Sequence, residues 1–277
     1  MKLIESEVII KEQEPGIDGI YKQIEWAGRH CYKSHDKITE DSAKSFVDRM
    51  IKSKHGAMLE HGTVYLKFYN TQTWVSEMTL EDSTYTGLFY TKNKYSKCNQ
   101  VENYMYVTTN LRVLVENNRL DDLRWICEPT EHHEKRITAR FTCDRAVAQE
   151  VTRHRVMSFA MESQRYVAYD KDKHGGEVTF VKPHWYNEEF PACLIWIESL
   201  KESEKKYLEL REAGLKPQDA RGVLPNATKT EIVVTGFESD WEHFFSLRSP
   251  KAGAQGAHPD ITKLADELYE KLNSVNK

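Results

Sequence analysis

Apolar residues recur every three to four positions in several stretches of the chain. Ile17, Ile20, Tyr21, Ile24 and Ala27 predict a helix from Ile17 to Cys31. Thr39, followed by Glu40 and Asp41, reads as the N-cap of a second helix through Ala43, Phe46, Met50 and Ile51, ending near His55-Gly56. Other stretches alternate instead. Residues 2–10 and Thr63 to Tyr69 read as strands, as does Arg136 to Thr142, where Ile137, Ala139 and Phe141 alternate with more polar positions.

Downstream, Asp144 caps a helix running from Arg145 toward Arg155, and Val178, Phe180 and Val181 form an extended segment ahead of Pro183. Glu188 to Glu212 is a long amphipathic helix stopped near Gly214, followed by a short helix from Gln218 to Leu224. Thr230 to Gly236 is β-branched and apolar, hence a strand. Ser239-Asp240-Trp241-Glu242 has the form of a capping box opening the helix of Phe244, Phe245 and Leu247, and Pro259 to Leu272 is a final amphipathic helix. Residues 70–135 are harder to pattern. Asn110 to Glu116 reads as helical, and Glu131-His132-His133-Glu134 as loop.

Strands and helices mix here without strict βαβ alternation, which argues an α+β fold with a mixed, largely antiparallel sheet packed by helices. No linker stands out, so residues 1–277 are expected to form a single domain.

Composition narrows the function. A net charge of −4 opposes a global pull toward nucleic acid, so any anion site must be local, built from a few arginines. The five cysteines form no C-x-x-C pair, which suggests neither a zinc site nor a disulfide framework and points to a reducing, cytoplasmic setting. No window has the length and apolarity of a signal peptide or a membrane span.

Three candidate groups stand side by side at Arg153-His154-Arg155. On a helix, neighbours point about 100° apart, so the three cannot all serve one small anion. They suit two ligands, or one ligand and a structural partner. Glu150 lies one turn earlier on the same side, placed to orient an arginine or accept a hydrogen bond. Taken alone, the tripeptide also fits a basic helix C-terminus complementing the macrodipole. Ser163 and Arg165, two apart on an extended segment, share a face and make a phosphate cradle from a short donor and a planar fork.

Taken as one unit, Arg153-His154-Arg155, seven residues and then Ser163, extended by Gln164-Arg165-Tyr166, resembles the signature of flavin-dependent thymidylate synthases. Ser158-Phe159 resembles the interior of that signature. Glu60-His61-Gly62-Thr63 resembles the family's Glu-His element, Ala220-Arg221 through Leu224-Pro225 its second phosphate arginine, and His243 with Leu247-Arg248 its late helix. The likeness runs over about 55–70 and 140–250. It departs at Met161, where the family commonly has Glu or Gln; Glu162, one residue on, is the substitute. The interval from His61 to Arg153 is long, which implies an insertion in about 70–135.

The resemblance implies reductive methylation of dUMP to dTMP by an FAD-dependent methyltransferase. Methylenetetrahydrofolate gives the carbon and NADPH reduces the flavin, in a homotetramer whose sites lie at subunit junctions. It assigns FAD binding to His61, Thr63, Arg153, His154, Arg155 and His243, and dUMP binding to Glu150, Arg153, Glu162, Ser163, Gln164, Arg165, Arg221 and Arg248, with Arg248 as the catalytic cation on the uracil ring. It implies no metal, no cysteine nucleophile, no nucleic acid and no membrane partner. Competing readings are a metal-dependent hydrolase using Glu131-His132-His133-Glu134 with His154, an RNA-binding strip from Arg153 to Tyr166, and a purely structural domain.

Overall fold

The computed structural model describes residues 1–70, 82–170 and 176–275. Its frame is a four-stranded antiparallel sheet in the order β2-β6-β9-β7, formed by Glu7–Ile10, Arg136–Asp144, Lys229–Phe237 and Ser158–Met161. The central pair is β6 and β9, in register from Arg136 opposite Phe237 to Asp144 opposite Lys229. In β9 the apolar run Ile232-Val233-Val234 does not alternate with polar residues because both faces of the strand are covered. Ile232 and Val234 pack with Phe141 of β6 and against Val147 and Val151 of α6 (Arg145–Val151), Trp241 and Phe244 of α9 (Glu238–Arg248), and Ile261 and Leu264 of α10 (Pro259–Val275). Val233 points the other way, into a cluster with Ile20 and Ile24 of α1 (Gly16–Tyr32).

That second cluster continues into α2 (Ser42–Lys52), the single turn α3 (Gly56–Leu59) and a three-stranded antiparallel sheet. The sheet is ordered β3-β5-β4, from Thr63–Tyr69, Tyr104–Asn110 and Lys97–Val101, with α4 (Asp82–Lys92) and α5 (Leu111–Glu116) beside it. At Gly62 a Cβ would meet Ile24 Cδ1 at 2.6 Å and Ile20 Cγ2 at 2.7 Å, so only glycine lets the turn before β3 lie against α1. A third cluster joins β8 (Thr179–Val181), α7 (Pro191–Glu212) and α8 (Pro217–Ala220).

The architecture is α+β and largely antiparallel, with its strands distributed over three sheets. Among the described residues, the one parallel pair is β1 (Lys2–Ile4) with β8. The strand expected over residues 2–10 is therefore two strands in two sheets. The chain changes sheet at Glu5, whose carboxylate pairs with Lys182 at 3.4 Å and Lys263 at 3.1 Å.

Two helix starts differ from expectation. Thr39 is not a cap: its N–H donates to Ser42 Oγ (2.9 Å) in a turn before α2, and the Ser42 hydroxyl donates to Glu25 of α1 at 2.7 Å. Helix α9 begins at Glu238, one residue ahead of Ser239, because Asp240 accepts the Phe237 N–H at 2.9 Å. Asp144 caps α6 as expected, accepting the Val147 N–H at 2.7 Å. Within the segment expected to be an insertion, β4, β5 and α5 are built around Asn110, which caps α5; residues 71–81 lie outside the described residues.

At the start of β9, Lys229 is buried and donates to Glu162 Oε2 (2.9 Å) and to Glu231. Burial opposes the charge on Glu231, but Lys229 more than offsets it and holds the carboxyl down to about 2. Lys229→Met leaves Glu231 without its lysine and Glu162 with only Lys33, at 3.9 Å. It is expected to lower the unfolding free energy by about 3–5 kcal/mol in urea denaturation; a loss below about 1 kcal/mol would mean the cluster behaves as an exposed ion pair.

Candidate functional site

Helix α6 stops at Val151, four residues short of Arg155. Thr152 closes it by donating its hydroxyl to Gln149 O (2.9 Å), and two tighter bonds follow, Arg153 N to Glu150 O (3.2 Å) and His154 N to Val151 O (3.2 Å). The chain must turn here to enter β7 at Ser158. The turn buries His154 between two exposed arginines, Arg153 and Arg155.

His154 meets the end of α9. Arg248 donates Nη1–H to Glu150 Oε2 at 2.6 Å and Nε–H to His154 Nε2 at 3.4 Å. The His154 ring lies 4.8 Å from the Phe244 ring and 6.2 Å from the exposed His243 ring. Burial, then Arg248, then His243 push His154 down to about 4. A neutral imidazole has a lone pair for the Arg248 N–H, and it adds no charge to compete with the guanidinium. Glu150 of α6, His154 of the turn that follows it, and His243 and Arg248 of α9 thus converge from two segments far apart in sequence.

The predicted phosphate group lies past the other end of β7. Ser163 and Arg165 do not sit on an extended segment. The chain leaves the sheet after Met161 and turns, with Tyr166 N–H and Val167 N–H donating to Ser163 O at 3.3 and 3.0 Å. Ser163 N–H donates to Cys31 O (3.0 Å), which fixes the turn to the end of α1, and Ser163 Oγ accepts the Arg165 N–H at 3.3 Å. Arg165 is exposed and packs on the exposed Tyr166 ring, whereas Gln164 is buried. Arg221 is exposed in the turn after α8, its Nε–H donating to Gln218 O at 3.1 Å. Glu162, only 2% exposed, turns inward to Lys229, and Met161 packs against the sheet core.

His61 and Thr63 are buried at the start of β3. His61 Nδ1 lies 2.8 Å from Thr235 Oγ1, which lies 2.8 Å from Thr138 Oγ1, a polar chain across the central sheet. Thr63 Oγ1 accepts from Arg136 at 3.3 Å. Arg136 was not singled out from the sequence because the first residue of a strand is an ordinary place for a surface arginine. The structure instead puts it under a cleft of about 580 Å3 that also holds Arg155, Ser158, Phe237 and Tyr95. That volume is of the scale of ligand sites.

The Glu131–Glu134 segment is loop. His133 is buried, with Nε2 3.1 Å from Leu66 O, and it bonds Thr130 through Nδ1. Among the described residues, the clusters with metal-ligand geometry are His30, His35, Glu231 and His184, His258, Asp260; neither includes this loop or His154.

The unfolded chain takes up protons on histidine below 6.5, whereas His154 stays neutral in the fold to about 4. The unfolded state therefore binds more protons in that window, and stability falls as pH drops from 6.5 toward 4. His30 and His61, pushed down to about 4 and about 3 by burial first, act in the same sense. His154→Gln is expected to flatten part of the fall when melting temperature is followed between these limits. A slope equal to that of the unaltered protein would mean that His154 titrates normally.

The sequence profile of the thymidylate synthase complementing protein family matches residues 126–276. The flavin-dependent thymidylate synthase of Pyrococcus furiosus is 35% identical over 130 residues, 47% of this chain and 51% of that protein. The one from Corynebacterium glutamicum is 33% identical over 143 residues, 46% of this chain and 53% of that protein. The chain spans about half the length of the curated relatives it matches. A crystal structure of a UMP/dUMP methylase from Streptomyces cacaoi aligns over 99% of this chain and 91% of that one at 16% identity and a TM-score of 0.44, too distant to bear on individual residues.

Proposed function

We propose that this chain, which belongs to the thymidylate synthase complementing protein family, methylates dUMP to dTMP as a flavin-dependent thymidylate synthase. The observation that carries this reading is the corner where Arg248 is held by Glu150 and neutral His154. FAD reduced by NADPH supplies the hydride, and methylenetetrahydrofolate supplies the one-carbon unit that replaces the hydrogen at C5 of the uracil.

The protein's part is binding, orientation and electrostatics. Arg248 is a cation fixed in direction before substrate arrives, so negative charge developing on the pyrimidine is met without reorganisation. Glu150 fixes its Nη1 end and His154 its Nε edge. Ser163, Gln164, Arg165 and Arg221 are assigned to dUMP and its phosphate, together with Arg153. Two of them, Arg165 and Arg221, present free guanidinium edges at the surface. His243, His154, Arg155 and Arg153 are assigned to FAD, for which the cleft beside Arg155 offers cations, the Ser158 hydroxyl and aromatic walls. Enclosed as they are, His61 and Thr63 act on that cleft through Arg136 and the central sheet, whereas Glu162, past the other end of β7, acts on the dUMP group from its pairing with Lys229.

The candidate residues fall into groups at the two ends of β7, and Val156 beside them is 70% exposed, as is Ile195 of α7 at 72%. Both features favour sites completed by other copies of the chain, as in a homotetramer. Light scattering is expected to give four times the 32.3 kDa of one chain; a fully active monomer would refute shared sites. Working in a reducing cytoplasm is supported by five free cysteines. No helix among the described residues is long and apolar enough to cross a membrane.

Arg248→Ala is expected to bind FAD within about twofold of the unaltered protein while dTMP formation falls by about a hundredfold or more. Activity that survives the change removes Arg248 from its role. Failure of the unaltered protein to form dTMP with dUMP, methylenetetrahydrofolate, FAD and NADPH all present removes the function.

A further inference from the structure

We propose that Arg136 is an anion-binding residue of the flavin site, taking the phosphates of the dinucleotide in the cleft it shares with Arg155 and Ser158; this rests on the flavin reading above. Arg136 begins β6, opposite Phe237 of β9. Its Nη1 donates to Glu60 O (2.9 Å) and Thr63 Oγ1 (3.3 Å), and its Nη2 to Ser158 Oγ (3.3 Å). A guanidinium has five N–H donors, so two remain, one of them the Nε–H, which is shielded from water and has no partner.

Among the described residues, no carboxylate lies within ion-pair distance of this charge. Glu60 is engaged by Arg112, and Asp240 accepts the Phe237 N–H. Burial lowers the Arg136 pKa to about 10, which still leaves it charged near neutral pH. Every acceptor it has is a neutral oxygen. Arg136 is half-buried, with Glu60 and Asp240 near its charge but not in contact with it. A partly desolvated cation without a directly paired counter-ion is costly, and its unsatisfied, shielded Nε–H adds to the cost. Such an arrangement destabilises the fold unless an anion that binds there offsets it.

Local charge selects the cleft. Arg136 lines two. The one toward Thr63 and Tyr65 carries the acids Glu12, Glu14, Glu128 and Glu238 against Lys11 and Lys135. The one toward Ser158 carries the acids Glu60, Glu116 and Asp240 against Lys94, Lys97, Arg112 and Arg155, so cations outnumber acids there. Glu60 and Glu116 are engaged by Arg112, whereas no carboxylate partner of Arg155 or Lys94 is found among the described residues. An anion entering the second cleft meets Arg155 at its edge and Arg136 at its floor. Phosphate oxygens match the planar fork and compete with the long bond to Ser158. Phe237, whose ring lies 5.5 Å from the Arg136 guanidinium carbon, and Tyr95 offer faces for rings of the same ligand.

The test compares FAD and riboflavin, which share the flavin ring and differ in the phosphates. Fluorescence titration of full-length Arg136→Met is expected to show FAD binding weakened about tenfold or more. Riboflavin binding should stay within about twofold, and the flavin-free melting temperature should equal or exceed that of the unaltered protein. Arg136→Lys keeps the charge and is expected to fall between the two. FAD affinity unchanged in Arg136→Met overturns the proposal. So do equal losses for FAD and riboflavin with a lowered melting temperature, which would mark a structural arginine. An unaltered protein that binds no FAD fails earlier, at the functional reading itself.

Discussion

The register of β6 against β9 is the constraint on which the rest of the molecule hangs. Nine residue pairs fix it, and both faces of β9 are buried. A slip of one residue would carry Ile232 and Val234 to the α1 face and Val233 to the α9 face, exchanging two differently shaped cores. The same register sets what stands at each end. At one end Asp144 caps α6 beside Lys229, whose amine gathers Glu162 and Glu231. At the other, Arg136 lies beside Phe237, where α9 begins its run to Arg248.

From that frame the corner of Glu150, His154 and Arg248 follows. Helices α6 and α9 pack on the same face of the sheet, so their C-terminal ends meet although about a hundred residues separate them. Burial of His154 is what keeps it neutral, and neutrality is what lets it accept from Arg248 without opposing its charge. Packing and electrostatics are one device here: the apolar wall of Phe244 that orders the imidazole also lowers its proton affinity.

Much of this was legible in the chain. Strong periodicity gave α1, α7 and α10 close to their observed ends, and the Asp144 cap and the β9 run needed only local chemistry. The Arg153 to Ser163 spacing named the signature but not its shape. A helix to Arg155 and an extended Ser163 are reasonable from local pattern. What overrides them is tertiary: β7 must pair with β9, and Ser163 N–H must reach Cys31 O. Arg136 was invisible because burial of a single strand-initial arginine leaves no periodic trace. Likewise, nothing adjacent in sequence shows that Glu162 has a buried lysine for a partner, since Lys229 lies 67 positions away. The Glu60-His61 element lies outside the residues that the family profile matches, and the sheet of β3, β4 and β5 stands between it and the signature.

In the proposed reaction, hydrogen at C5 of dUMP is exchanged for a methyl group at a site organised by Arg248. Release of tritium from dUMP labelled at C5 follows that bond directly. Release is expected to require FAD, NADPH and methylenetetrahydrofolate together and to match the dTMP formed. Tritium that stays on the nucleotide with all components present would contradict it.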